Sequence, residues 1–242
     1  MLILGIETAT EQVSVAIGGH EGVLGMFEVC RGRRHAETLT PAIQFVCAQA
    51  DVELDEISVV AVDVGPGLFT GMRVGLAAAK AFAQALRVPM IGMSSLDLLA
   101  FPLRHGQRTI AAVIDARKGE LFYAFYKPVP GGVQRVLEPR CGRADDLVAD
   151  LMARGDDVLC VGDGALRYRD EIEADLHCEF AEQFLSRPAA APLVQPAHAR
   201  PLREDWGNPG ESQPMSLRLP DPQINWSTRE QGTTDTTGGL PR

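Results

Sequence analysis

The 242 residues contain no Cys-x-x-Cys pair, no His-x-x-x-His, no Glu-x-x-His and no Gly-x-Ser-x-Gly elbow. The five cysteines (Cys30, Cys47, Cys141, Cys160 and Cys178) are odd in number and scattered, which fits reduced thiols rather than a disulfide framework. Five histidines lie far apart, so spacing offers no metal site. Ser14, Ser94 and Ser95 have no neighbouring base, which argues against a serine hydrolase. No apolar run reaches the roughly 18–20 residues of a membrane helix. Basic residues are also in short supply: 23 Lys and Arg against 32 Asp and Glu leave a net charge of -9. The densest basic cluster, Arg31-Gly32-Arg33-Arg34, is brief, so tight nucleic-acid binding by this chain alone is not expected. Met1-Leu2-Ile3-Leu4-Gly5 enters a strand-like run with no basic leader or cleavage site, and a cytoplasmic protein is expected.

What is present is a glycine-rich turn. Gly65-Pro66-Gly67-Leu68-Phe69-Thr70-Gly71-Met72-Arg73-Val74-Gly75 follows a strand-like run, Ile57 to Val64, and leads into a predicted helix over 71–86. Arg73, Lys80, Gln84 and Arg87 fall at i, i+7, i+11 and i+14, a single polar stripe at the helical period. Nearly everything else on the helix is small or apolar, so it must be covered on more than one side. Its own sheet supplies one cover; a second layer or a second chain must supply the other.

Apolar runs at 2–9, 12–18 and 22–30 predict a three-strand meander, and 35–50 predicts a helix with Leu39, Ile43, Val46 and Ala50 on one face. Pro41, Phe45 and Ala48 lie off that face. A short strand at 90–92 and a helix at 95–100 complete the order β-β-β-α-β-α-β-α. After Pro102 a similar cycle begins, with strands at 109–115, 120–126 and 132–138, a helix near 143–154 and a strand at 157–161. Arg117-Lys118-Gly119 reads as a hairpin turn. The expected division is 1–104, 105–220 and a tail, 221–242, too polar to bury a core and expected to be disordered.

The turn at 65–71 presents a helix N-terminus to which an anion could bind, but it lacks the Gly-Lys-Ser/Thr ending of a nucleotide P-loop. A structural role is favoured: Gly67 for the turn, Thr70 as N-cap, and Gly71, Gly75, Ala78 and Ala79 as small residues for close helix approach. Glu7, Asp63 and Asp115 end strand candidates, where carboxylates hold Mg²⁺ or, more commonly, serve as caps. Asp163, beside glycines, reads as a turn residue. No catalytic, cofactor-binding or metal-binding residues are assigned.

Gly5-Ile6-Glu7-Thr8-Ala9-Thr10, His35-Ala36-Glu37-Thr38-Leu39-Thr40-Pro41, the Gly65–Gly75 segment with its helix, and Asp115-Ala116-Arg117-Lys118-Gly119-Glu120-Leu121-Phe122-Tyr123 together resemble the TsaB family. These are bacterial partner subunits of the machinery that makes N6-threonylcarbamoyladenosine in tRNA. The likeness spans roughly residues 1–165; beyond residue 180 only Leu217-Arg218-Leu219-Pro220 resembles the family's ending. It implies an α/β, actin/Hsp70-like ATPase fold of two ribonuclease-H-like domains with mixed sheets flanked by helices. It also implies a non-catalytic scaffold that activates TsaD, helps recruit TsaE, a P-loop ATPase, and meets tRNA only through the complex. The metal-binding histidines of TsaD correspond here to Ser95-Leu96-Asp97-Leu98-Leu99, with neither histidine. Pairing in the family runs through the two N-domain helices, which makes His35, Glu37, Thr38, Phe45, Gly71, Arg73, Gly75, Ala78 and Ala79 the interface candidates, with a homodimer possible through the same surface. The alternatives are an ATP-binding actin-like enzyme acting on its own, using the cleft between the domains, and a glycoprotease-type peptidase.

Overall fold

The computed structural model describes residues 1–32, 34–199, 214, 215 and 217. The tail expected at 221–242 and most of the family-like ending lie outside the described residues. Strands β1 (Leu2–Glu7), β2 (Gln12–Gly19) and β3 (Gly22–Cys30) form the expected meander, followed by helix α1 (His35–Ala50), β4 (Ile57–Gly65), helix α2 (Phe69–Leu86), β5 (Met90–Ser94) and helix α3 (Ser95–Ala100). Their sheet runs in the order β3-β2-β1-β4-β5, antiparallel through the meander and parallel from β1 to β5.

The pattern then repeats. Strands β6 (Thr109–Arg117), β7 (Glu120–Val129) and β8 (Gly132–Gly142) are followed by helix α4 (Ala144–Met152), β9 (Val158–Val161), helices α5 (Asp163–Arg167) and α6 (Arg169–Asp175), and the two-residue strand β10 (Glu179–Phe180). The second sheet runs β8-β7-β6-β9-β10 with the same directions, so each of its strands occupies the place of the strand five earlier. Two such ribonuclease-H-like units in one chain make the actin/Hsp70-like ATPase fold. Arg117, Lys118 and Gly119 all take positive φ (65°, 58° and 80°) in the β6–β7 hairpin.

Both faces of the first sheet are covered, which is why β1 and β4 read as nearly unbroken apolar runs. Leu4, Ile6, Val15, Ile17, Val60 and Val62 pack beneath α1 and α2. Ile3, Ala16, Val59 and Ala61 pack on the opposite face against Leu98 of α3 and against Leu193 and Val194 of helix α7 (Ala191–Ala199). Helix α3 lies between the two sheets: its Leu96, Leu99 and Ala100 join Ile110, Ile114, Phe122 and Tyr126 of the second. Its one charge, Asp97, accepts from the Tyr126 hydroxyl at 2.8 Å and from Arg135 at 2.6 Å. The outer face of the second sheet is closed by α4, α5 and α6 through Leu147, Leu151, Ala165 and Ile172.

Two local expectations are corrected. Helix α2 starts at Phe69, not Gly71, and its N-cap is Leu68, whose side chain makes no capping bond. Thr70 is therefore already inside the helix. Instead of a side-chain cap, the entry is held by tertiary contact: the Leu68 N–H donates to the Ala9 carbonyl at 2.6 Å. Asp163 is not a turn residue but the first residue of α5, and its Oδ1 accepts from the Asp115 N–H at 3.0 Å.

The glycines of the motif serve this same contact. A Cβ at Gly67 would collide with the Ala9 carbonyl, at Gly71 with the Thr8 carbonyl, and at Gly75 with Thr8 Oγ1. Thr8 Oγ1 cannot swing clear without breaking its 2.8 Å bond to the Gly71 carbonyl. Gly75→Ala is expected to cost about 1–3 kcal/mol by overpacking, partly masked by the better helix propensity of alanine. Adding Thr8→Ala removes the colliding oxygen and should recover part of the loss. Denaturant melts of the two single variants and the double variant check this, and additive costs would show that the two residues do not collide.

Candidate functional site

Helix α2 carries two stripes with a spacing of four, small throughout except for Arg73. Gly71, Gly75, Ala79 and Ala83 are buried against the chain's own sheet, whereas Arg73, Ala77, Ala81 and Ala85 are exposed on the opposite side. Val74, Ala78 and Phe82 lie between them, half-buried against the core beneath α1 and α2. Helix α1 lies on the same face of the sheet with Leu39, Ala42, Ile43, Val46 and Cys47 inward. Its outward positions are Ala36, Glu37, Thr40, Pro41, Gln44, Phe45, Ala48 and Gln49. Phe45 is 53% exposed, with its ring edge-on to Phe27 at 6.1 Å, and Phe69 is 60% exposed beneath the Arg73 guanidinium at 5.2 Å.

The structure thus divides the expected interface residues. Glu37, Phe45 and Arg73 are exposed, and Thr38 and Ala78 are half-buried. Gly71, Gly75 and Ala79 face inward, because their smallness answers the close approach of Thr8 and the sheet rather than a partner. His35 is also inward: its Nε2 donates to the Thr10 carbonyl at 2.7 Å and pins α1 to the β1–β2 turn. The exposed Ala77, Ala81 and Ala85 are not among the expected interface residues. Their i, i+4, i+8 spacing was the available signal, since it mirrors that of the inward stripe half a turn away.

At the ends of β1 and β4 two carboxylates lie side by side. The register pairs Ile6 with Val62, which brings Glu7 beside Asp63, and neither side chain is exposed. Glu7 Oε1 accepts from the Ala9 N–H at 2.7 Å and the Thr10 N–H at 3.3 Å. Asp63 Oδ1 accepts from the Gly65 N–H and the Ser95 hydroxyl, each at 2.7 Å. Among the described residues, Glu7 Oε2 and Asp63 Oδ2 have no hydrogen-bond partner. Burial, and then the neighbouring Asp63, raise the Glu7 carboxyl well above its ordinary range, and burial raises Asp63 to about 7. Both carboxylates act as turn caps, the commoner of their two expected roles. The third, Asp115, belongs to the second sheet and is neutralised by Arg117 at 3.2 Å and Arg167 at 2.8 Å. Among the described residues no three His, Cys, Asp or Glu side chains gather as a metal site.

Between the two units is a cleft lined by Thr10, Glu11, Gly67, Leu68, Asp115, Arg117, Asp163 and Arg187. Arg117 crosses it to Glu11 at 2.6 Å, joining the β6–β7 hairpin to the β1–β2 turn. Carboxylates and guanidiniums alternate here, so a polyanion entering the cleft would face Glu11, Asp115 and Asp163 as well as the arginines.

The buried pair has a pH signature. A carboxyl whose pKa is raised by folding keeps its proton longer in the folded state, so its stabilising contribution is present below about pH 4 and is lost as pH rises toward 7. Thermal melts of the wild-type chain should fall across that window. Asp63→Asn keeps the acceptor for Gly65 and Ser95 but cannot ionise, and its melts should fall less steeply; equal slopes would show that Asp63 does not titrate there.

Residues 23–191 match the family model described as TsaD, tRNA N6-adenosine threonylcarbamoyltransferase. An Escherichia coli relative, "tRNA threonylcarbamoyladenosine biosynthesis protein TsaB", is 34% identical over 63% of this chain and 66% of its own length. The Bacillus subtilis protein of the same name is 27% identical over 72% of this chain and 76% of its own. Among solved structures, a Pseudomonas aeruginosa protein described by its similarity to the peptidase YeaZ superposes with a TM-score of 0.78 at 25% identity, covering 90% of this chain and 99% of that one. YeaZ from the same organism gives 0.76 at 24% identity, covering 89% and 99%. The matched stretch spans just under two thirds of the E. coli relative, but the fold match runs through nearly the whole of both Pseudomonas chains. With a family model matched over more than half its length, the chain belongs to the TsaD protein family, and TsaB proteins are among its relatives.

Proposed function

We propose that this chain is a non-catalytic scaffold and activator in the machinery that forms N6-threonylcarbamoyladenosine at position 37 of tRNAs reading codons that start with A. In this reading it pairs with TsaD through the outer faces of α1 and α2, helps recruit TsaE, and meets tRNA only through the complex. The unit formed by residues 1–104 carries the pairing surface. The observation that carries the reading is the outward stripe of α2: Arg73, Ala77, Ala81 and Ala85 are exposed, with Phe69 against Arg73 and Phe45 exposed on α1. Small side chains on two neighbouring helices let a partner's helices approach closely. A stable pairing of ordinary size would bury about 1,600 Å² in total. In the absence of TsaD the same face would serve a homodimer.

Three features support the non-catalytic part of the reading. The segment corresponding to the metal-binding helix of TsaD is packed as core, with Leu96, Leu98 and Leu99 buried between the sheets. The β1–β2 turn N–H groups of Ala9 and Thr10, which would face a phosphate, already donate to Glu7. The cleft mouth is bridged by Arg117 and Glu11. These features weigh against an ATP-dependent enzyme acting alone, and calorimetry with Mg·ATP on the isolated chain separates the two readings: micromolar binding would favour the enzyme.

Ala81→Arg places a long charged side chain on the exposed stripe. It should leave the melting temperature unchanged but weaken TsaD pairing at least about tenfold, or about 1.4 kcal/mol. Phe45→Ala should weaken it by more than about 1 kcal/mol if the ring is an anchor. Titration of purified TsaD by calorimetry measures both, and full affinity in the two variants would move the interface elsewhere.

A further inference from the structure

Cys160 lies in β9 and is buried, while Cys178 lies in the irregular segment between α6 and β10 and is half-buried. Parallel pairing sets Phe180 beside Cys160, and the Ala181 N–H donates to the Cys160 carbonyl at 2.8 Å. That edge pairing brings residues 18 apart in sequence to an Sγ–Sγ separation of 3.9 Å, with the Cys160 thiol donating to Cys178. Neither cysteine belongs to the outer face of α1 and α2 or lines the cleft.

We propose that Cys160 and Cys178 are a redox-active dithiol, which a hydroperoxide oxidises to an intramolecular disulfide. Cys178 is the attacking sulfur because it is the one solvent reaches, and the thiolate is the nucleophile. The thiol hydrogen bond from Cys160 and the nearby Arg169 hold Cys178 below the ordinary thiol range against the opposing effects of burial and Glu173. Cys160, as donor and buried, is pushed up and keeps its proton. The Cys178 thiolate attacks one peroxide oxygen, the O–O bond breaks, and the leaving oxygen takes up a proton and departs as water or alcohol. Cys178 is thereby oxidised to sulfenic acid while the peroxide is reduced. The Cys160 sulfur next attacks the Cys178 sulfur, the S–O bond breaks, and the hydroxyl leaves as water with the Cys160 proton. Reaching the bonding distance of about 2.05 Å requires a movement of about 2 Å. The segment 176–178, outside helix and strand, is placed to make it. The product closes a loop that contains α5 and α6 and ties the two-residue edge strand β10 to β9.

The test treats the native full-length chain with stoichiometric hydrogen peroxide, blocks the remaining thiols in denaturant, and maps tryptic peptides without reductant. The expected result is a linked pair carrying Cys160 and Cys178, a fall from five free thiols to three, and reversal by dithiothreitol. Cys160→Ser should leave Cys178 as a sulfenic acid that dimedone captures, and Cys178→Ser should leave Cys160 unmodified. The proposal is overturned if Cys178 stays alkylatable under exposure that oxidises Cys30, or if it advances to sulfinic acid while Cys160 remains a free thiol.

Discussion

The first unit is organised by one close approach, that of the Thr8-Ala9 backbone to the glycine face of α2. Three contacts meet there: Thr8 Oγ1 to the Gly71 carbonyl, the Leu68 N–H to the Ala9 carbonyl, and His35 Nε2 to the Thr10 carbonyl. Together they tie both outer helices to one short turn. Glu7 holds that turn from inside through the Ala9 and Thr10 N–H groups. Removing the space at Gly71 or Gly75 would push α2 off the sheet and rotate its outward stripe. The glycine-rich motif therefore works at a distance from the surface it serves. Its residues are buried, yet they determine which alanines face outward.

The strands and helices were largely legible because period-two and period-3.6 patterns are local. Leu2–Glu7, Gln12–Gly19 and Gly22–Cys30 alternate or run apolar between glycines, and His35–Ala50 shows its inward stripe directly. What resisted reading was tertiary. The start of α2 was misplaced because its entry is held by Ala9, some sixty residues earlier, rather than by a local side-chain cap. Asp163 looked like a turn residue because the bond it accepts from Asp115 crosses between elements. The two faces of α2 could not be told apart, since Gly71-Gly75-Ala79-Ala83 and Arg73-Ala77-Ala81-Ala85 share one spacing, and small size alone does not separate inside from outside. Glycine was the better clue than alanine, because a position that rejects even a methyl group has something pressed against it.

The duplication makes the asymmetry of the two units informative. Both have the same strand order, but α1 and α2 run 16 and 18 residues, whereas α4, α5 and α6 run 9, 5 and 7. The outer layer of the second unit is short and charged, with Asp145, Asp146, Asp150, Arg169 and Glu173 held in local pairs and caps where they are bonded at all. The first unit's outer layer is long, and its exposed positions are mostly alanine, proline, phenylalanine and uncharged polar side chains. Solvent suits the second surface, whereas the first leaves apolar area exposed, which is what the proposed pairing would cover. With Leu96, Leu98 and Leu99 committed to joining the two cores, α3 is the structural joint between the sheets. A middle filled with leucine and outer helices left bare are the two features on which the proposed pairing role rests.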